Sequence, residues 1–98
     1  MLVRIVRMTF RPDALPDFHV IFDRSKQHIR AFPGNHHLEL LRDPDNPAVR
    51  MTYSLWDDAN ALEAYRQSQL FRQTWAATKL LFAERAVAFS GERIEVIL

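Results

Sequence analysis

The segment from Leu2 to Phe10 constrains this chain more than any other, because it is apolar on both of its faces. Read as a strand, it places Val3, Ile5, Arg7 and Thr9 on one side and Leu2, Arg4, Val6, Met8 and Phe10 on the other. A sheet with one wet side alternates cleanly between apolar and polar residues, so a strand of this kind demands cover on both faces. That cover must come from a chain of 98 residues, a length that builds one small core, so residues 1–98 read as a single domain.

Local punctuation divides the rest of the chain at Arg11-Pro12-Asp13, Phe32-Pro33-Gly34, Asp43-Pro44-Asp45-Asn46-Pro47, Asp57-Asp58 and Ser90-Gly91. After Asp13, read as an N-cap, Phe18, Ile21, Phe22, Ile29 and Phe32 fall at helical spacings and predict a helix over 15–32. The extended runs 36–42 and 49–56, joined by a turn rich in Pro and Asp, predict an antiparallel hairpin. Asp57 or Asp58 caps a helix to about Gln67, and Ser68 caps a further one in which Phe71, Trp75, Thr78 and Phe82 share a stripe. Alternating apolar residues over 87–98 predict a closing strand, with a bulge or bend at Gly91.

The order β-α-β-β-α(α)-β is the split βαβ, or ferredoxin-like, α+β arrangement: a four-stranded antiparallel sheet with helices on one face. No helix is left for the second face. Two copies are therefore expected to pack sheet against sheet as an isologous homodimer.

Charge narrows the partners. Thirteen Lys and Arg against twelve Asp and Glu leave a net charge of +1, too little to hold a nucleic acid backbone or an anionic membrane surface. No apolar run is long enough to span a bilayer, and Met1-Leu2-Val3-Arg4 lacks the basic-then-apolar design of a signal peptide, so a cytoplasmic protein is expected. The chain has no cysteine, which excludes disulfides, thiolate catalysis and Cys-ligated metals.

Among groups that can do chemistry, the four histidines show no chelating spacing. His36 and His37 are adjacent, hence on opposite sides of a strand, and His19 and His28 lie nine residues apart on a helix. No serine nucleophile elbow and no phosphate-cradling glycine loop is present, since Gly34 and Gly91 are the only glycines. Aromatic residues stand out instead. Trp56, Trp75, Phe18, Phe22 and Phe71 can wall a flat apolar pocket, or they can simply be core. In the pocket reading, Tyr53, Tyr65 and the Trp N–H groups orient a planar ligand. His37 can serve there as an acid or base. Of Arg4 and Arg7, one is expected to pair with a carboxylate at a strand edge and the other to place a cation near the pocket.

Phe32-Pro33-Gly34, then His37-Leu38-Glu39-Leu40-Leu41, then Trp56, Leu62, Tyr65, Ser68, Phe71 and Trp75 occur in an order and spacing that resembles the antibiotic biosynthesis monooxygenase-like proteins. The resemblance spans nearly the whole chain and implies a dimeric α+β barrel. It implies, further, cofactor-independent oxidation of a small planar phenolic, quinol or anthrone-like substrate, or a non-catalytic small-ligand-binding protein of the same fold. Haem-degrading members of the family carry a tryptophan matching Tyr65, an axial histidine matching Trp75 and an asparagine in the first strand. None of the three is present here, and a tryptophan cannot ligate iron. Quinol-oxidising members often have a histidine at the position of Tyr65. The residues expected to act are thus Tyr65, His37, Tyr53 and Arg7, with the five aromatic side chains as substrate walls and no cofactor or metal.

Overall fold

The computed structural model describes every residue from Met1 to Leu98. Its elements are β1 (Leu2–Thr9), a 3-10 turn (Pro12–Ala14), α1 (Leu15–Arg30), β2 (Asn35–Asp43), β3 (Asn46–Trp56), α2 (Ala59–Arg66), α3 (Gln69–Lys79) and β4 (Val87–Glu92). The strands form one antiparallel sheet in the order β2-β3-β1-β4, the ferredoxin-like α+β arrangement that the sequence order implies. No helix is long and apolar enough to cross a membrane.

The helices cover one sheet face. One buried cluster joins Leu2 and Trp56 of the sheet to Leu62 of α2; another joins Met8 and Phe10 to Phe18 of α1, with Trp75 of α3 packed against it. Trp56, Phe10 and Val49 are the largest side chains that are completely enclosed.

The other sheet face has no helix. Its rows read directly off the register: His37, Leu55, Val3 and Gly91; then Glu39, Tyr53, Ile5 and Phe89; then Leu41, Met51, Arg7 and Val87. At Val3, Ile5 and Arg7 of β1 and at Met51 and Tyr53 of β3 this face is only half-buried, while Leu55 is buried, and on β4 Phe89 is 56% exposed and Val87 55%. Both faces of β1 are thus apolar, and the chain itself covers one of them.

Several boundaries differ from the sequence expectations, each for a tertiary reason. Asp13 is not the cap of α1; it lies inside the 3-10 turn, and α1 starts after Ala14 with no side-chain cap. Phe32 falls beyond α1, where its carbonyl accepts from the Asn35 N–H at 3.0 Å as the chain turns into β2. Phe82 is not helical: α3 ends at Lys79, and Phe82 pairs as an isolated bridge with Phe10. The closing strand stops at Glu92 instead of running to Leu98. Glu92 pairs with Leu2, the first residue of β1, so the partner strand has run out. Ile94, Ile97 and Leu98 are left at 99%, 84% and 114% exposure. Gly91 forms no bulge; it stays in register opposite Val3. The bulge is at His36, where β2 advances from Asn35 to His37 while β3 moves only from Trp56 to Leu55.

Candidate active site

Period-two alternation sends Arg4, Val6 and Met8 of β1, Leu38 of β2, Thr52, Ser54 and Trp56 of β3 and Ala88 of β4 toward the helices. Above them, α1 contributes Phe18, Phe22 and Ile29, α2 contributes Leu62, Tyr65 and Arg66, and α3 contributes Phe71, Thr74, Trp75 and Thr78. Between floor and roof lies a cavity of about 390 Å³, within the usual size of small-molecule sites.

Two caps fix the roof. The Asp58 carboxylate accepts from the Ala61 N–H at 2.8 Å and starts α2. The Ser68 hydroxyl donates to the Tyr65 carbonyl at 2.6 Å and accepts from the Phe71 N–H at 3.1 Å, so one side chain closes α2 and opens α3. Tyr65 and Phe71 are thereby brought edge to face at 5.3 Å. Gly34 lets α2 approach: its φ is +88°, and an added Cβ would meet the Ala61 Cβ at 2.6 Å.

The aromatic rings form a connected wall. Trp56 stacks on Tyr65 at 4.9 Å, and Phe71 stacks on Trp75 at 5.8 Å. Trp75 meets Phe82 at 5.5 Å, Phe82 meets Phe10 at 5.3 Å, and Phe10 meets Phe18 at 4.4 Å. Phe18 and Phe22, at 5.8 Å, complete the run along α1.

Few polar groups face this cavity unengaged. The Trp56 indole N–H donates to the Ser54 hydroxyl at 3.0 Å, so it is not free to orient a ligand as the sequence reading supposed. Thr78 donates its hydroxyl to the Thr74 carbonyl at 2.7 Å. Tyr65 is different: burial alone pushes its phenol up to about 12, and no hydrogen bond offsets that shift. At neutral pH the phenol is therefore protonated, a hydrogen-bond donor and not a base. Arg4 is the floor's cation, held by a 3.1 Å bond to the Ser90 hydroxyl. Its pKa is lowered by burial and by the neighbouring Arg66 guanidinium. No Asp, Glu or His lines the cavity.

The residues expected to act are divided between the two sheet faces. Tyr65, Trp56, Trp75, Phe18, Phe22 and Phe71 all line the cavity. Tyr53, His37 and Arg7 do not; alternation puts them on the helix-free face, with the thickness of the sheet between them and Tyr65. That corrects the expectation that they share one site. On their own face, His37 lies 3.5 Å from the Glu39 carboxylate and its ring meets Tyr53 at 5.9 Å. Arg7 pairs with Asp43 at 3.5 Å. The two strand arginines thus divide between pairing and cavity, but Arg7, expected to act, is the paired one and Arg4 is the one at the cavity. His36 pairs with Asp57 outside the cavity. Arg66 was missed as a lining residue, although its place four positions after Leu62 on α2, one turn along the same face, could have flagged it.

A family model described as antibiotic biosynthesis monooxygenase matches residues 1–77. None of the curated proteins matches the chain. Among solved structures, one described as an antibiotic biosynthesis monooxygenase aligns with a TM-score of 0.90 at 16% identity, over 97% of this chain and 100% of that one. Rv0793 from Mycobacterium tuberculosis aligns with a TM-score of 0.89 at 19% identity, over 97% and 96%. SnoaB, a cofactor-independent oxygenase from Streptomyces nogalater, aligns with a TM-score of 0.85 at 19% identity, over 98% and 95%.

Proposed function

This chain belongs to the antibiotic biosynthesis monooxygenase family, and on that premise we propose that it is a cofactor-independent monooxygenase for a small planar phenolic, quinol or anthrone-like substrate. The observation that carries the reading is the cavity itself: a wall of connected aromatic rings that also carries the Tyr65 hydroxyl and the Arg4 guanidinium. SnoaB, whose fold this chain shares, is a cofactor-independent oxygenase.

The chemistry is driven by the substrate. An anthrone methylene that loses a proton becomes a carbanion delocalised onto the ring oxygen, electron-rich enough to pass one electron to O2. Recombination of the two radicals and protonation give a hydroperoxide, which loses water to leave a carbonyl; one oxygen atom enters the product and the other departs in water. The protein's task is to hold the ring, favour its anion and exclude bulk water. Trp56, Trp75, Phe18, Phe22 and Phe71 clasp the ring faces. Tyr65 donates its proton in a hydrogen bond to the substrate oxygen, and the positive charge of the lining arginines lowers the cost of negative charge on the bound ring. With no carboxylate or imidazole on the cavity wall, the proton leaves to solvent through the mouth.

The helix-free sheet face belongs to the same reading. We assign it to an isologous homodimer, in which Val3, Ile5, Tyr53, Leu55 and Phe89 of two copies pack together. Residues 1–98 act as one domain of that dimer, and His37, Tyr53 and Arg7 serve the interface instead of the chemistry.

Oxygen uptake against a panel of quinols and anthrones tests the proposal. The wild type is expected to exceed the uncatalysed rate, and Tyr65→Phe to lose at least about tenfold of the excess. No uptake above the uncatalysed rate across the panel overturns it.

A further inference from the structure

The cavity's charge is one-sided. Two of its lining residues are arginines, Arg4 on the floor and Arg66 on the roof, and none is acidic. The chain as a whole is almost neutral, with a net charge of +1, so this is a local concentration and not a reflection of composition.

Their partners differ. Arg66 has Glu63 at 3.2 Å, an exposed contact one turn back along α2 that leaves the rest of its fork available. Arg4 takes part in none of the protein's five ion pairs. Its side-chain hydrogen bond goes to a neutral hydroxyl, that of Ser90 on β4. A half-buried guanidinium without a counter-charge, close to a second cation, is a costly arrangement in the free protein. The cost is removed when an anion enters, and a guanidinium fork meets a carboxylate through two parallel hydrogen bonds.

We propose that Arg4 and Arg66 bind a carboxylate carried by the planar aromatic ligand, so that the substrate class is an aromatic acid whose ring lies along the Trp56, Tyr65 and Trp75 side of the cavity. This rests on the cavity being the ligand site. Arg4 is the principal anchor, since it has no competing carboxylate; Arg66 closes on the acid from α2. Both act as specificity-determining residues, selecting an acid over its neutral isostere, while the aromatic wall binds either ring.

Paired ligands of equal shape test the inference. Binding of 2-naphthoate and 2-naphthamide to the full-length protein at neutral pH is followed by quenching of tryptophan fluorescence and checked by calorimetry. The wild type is expected to bind the acid at least about tenfold tighter than the amide. Arg4→Gln should abolish that preference and Arg66→Gln should reduce it, while amide affinity stays within about twofold; circular dichroism melts confirm that both variants are folded. Equal affinity for acid and amide in the wild type, a preference that survives Arg4→Gln, or no binding of either compound overturns the proposal. Oxygen uptake separates it from the oxygenase reading. An acid preference without uptake on any quinol, anthrone or their carboxylated forms keeps the anion site and removes the enzyme. Uptake on neutral and carboxylated substrates alike does the reverse.

Discussion

Trp56 and Tyr65 stack with their ring centroids 4.9 Å apart and their planes inclined by 25°, although one ends a strand and the other sits in the next helix. The indole is fastened from below by its bond to Ser54 and packs with Leu2 and Leu62. The phenol turns the same contact toward the cavity. One aromatic pair thus joins the core to the site, and the two sides should respond differently to truncation.

Trp56 is 1% exposed, whereas Trp75 is only partly buried and lines the cavity. Trp56→Ala is expected to lower unfolding free energy by about 3 to 5 kcal/mol, and Trp75→Ala by about half of that or less. Urea unfolding at fixed protein concentration measures both. Equal losses would make Trp75 a core residue and weaken its role as a ligand wall.

The Tyr65 phenol carries its own pH signature. Its pKa rises from 10.0 in the unfolded chain to about 12 in the fold, so the native state favours the protonated form. The associated stability is complete below about pH 10 and is lost as pH rises toward 12. The shift corresponds to about 2 to 3 kcal/mol. Stability measured across this window should fall less steeply in Tyr65→Phe than in the wild type; superimposable curves would contradict the buried phenol.

Gly34→Ala probes the placement of α2. A residue with a side chain meets both the strained φ of +88° and the Ala61 Cβ at 2.6 Å. A destabilisation of about 2 to 4 kcal/mol is expected, with Tyr65 displaced along with α2. Unchanged melting would show that the contact between Gly34 and α2 is not tight.

Phe89 is 56% exposed on the helix-free face, opposite Ile5. Phe89→Lys should therefore leave the protomer folded and dissociate the proposed dimer. Light scattering should give twice the 11.5 kDa chain mass for the wild type and the single chain mass for the variant. A monomeric wild type, or a variant that remains dimeric, rejects this face as the interface.

How far the sequence carried the site is visible in β1. Its alternation assigns Arg4 and Arg7 to opposite faces, and the aromatic pocket-wall residues on α1 and α3 fall on the apolar stripes of their helices. Alternation does not say which face the helices take. Tyr53 and His37 therefore looked as eligible as Tyr65, and only the register against β1 placed them beyond the sheet. The neutral state of the Tyr65 phenol was equally invisible, because it depends on burial by neighbours distant in the chain.

The order of elements, the cap at Ser68 and the two-sided apolar strand are local properties, and the sequence alone determined them; it narrowed the α2 cap to Asp57 or Asp58, and the fold selects Asp58. What required the tertiary structure were the quantities set by non-local pairing. The closing strand ends at Glu92 because β1 begins at Leu2. Phe82 leaves the α3 stripe because Phe10 claims it. Arg7 is neutralised because the hairpin brings Asp43 to it, while Arg4 faces a cavity with no acid. Period and propensity act within a few residues, whereas pairing, burial and charge balance depend on which distant segments meet.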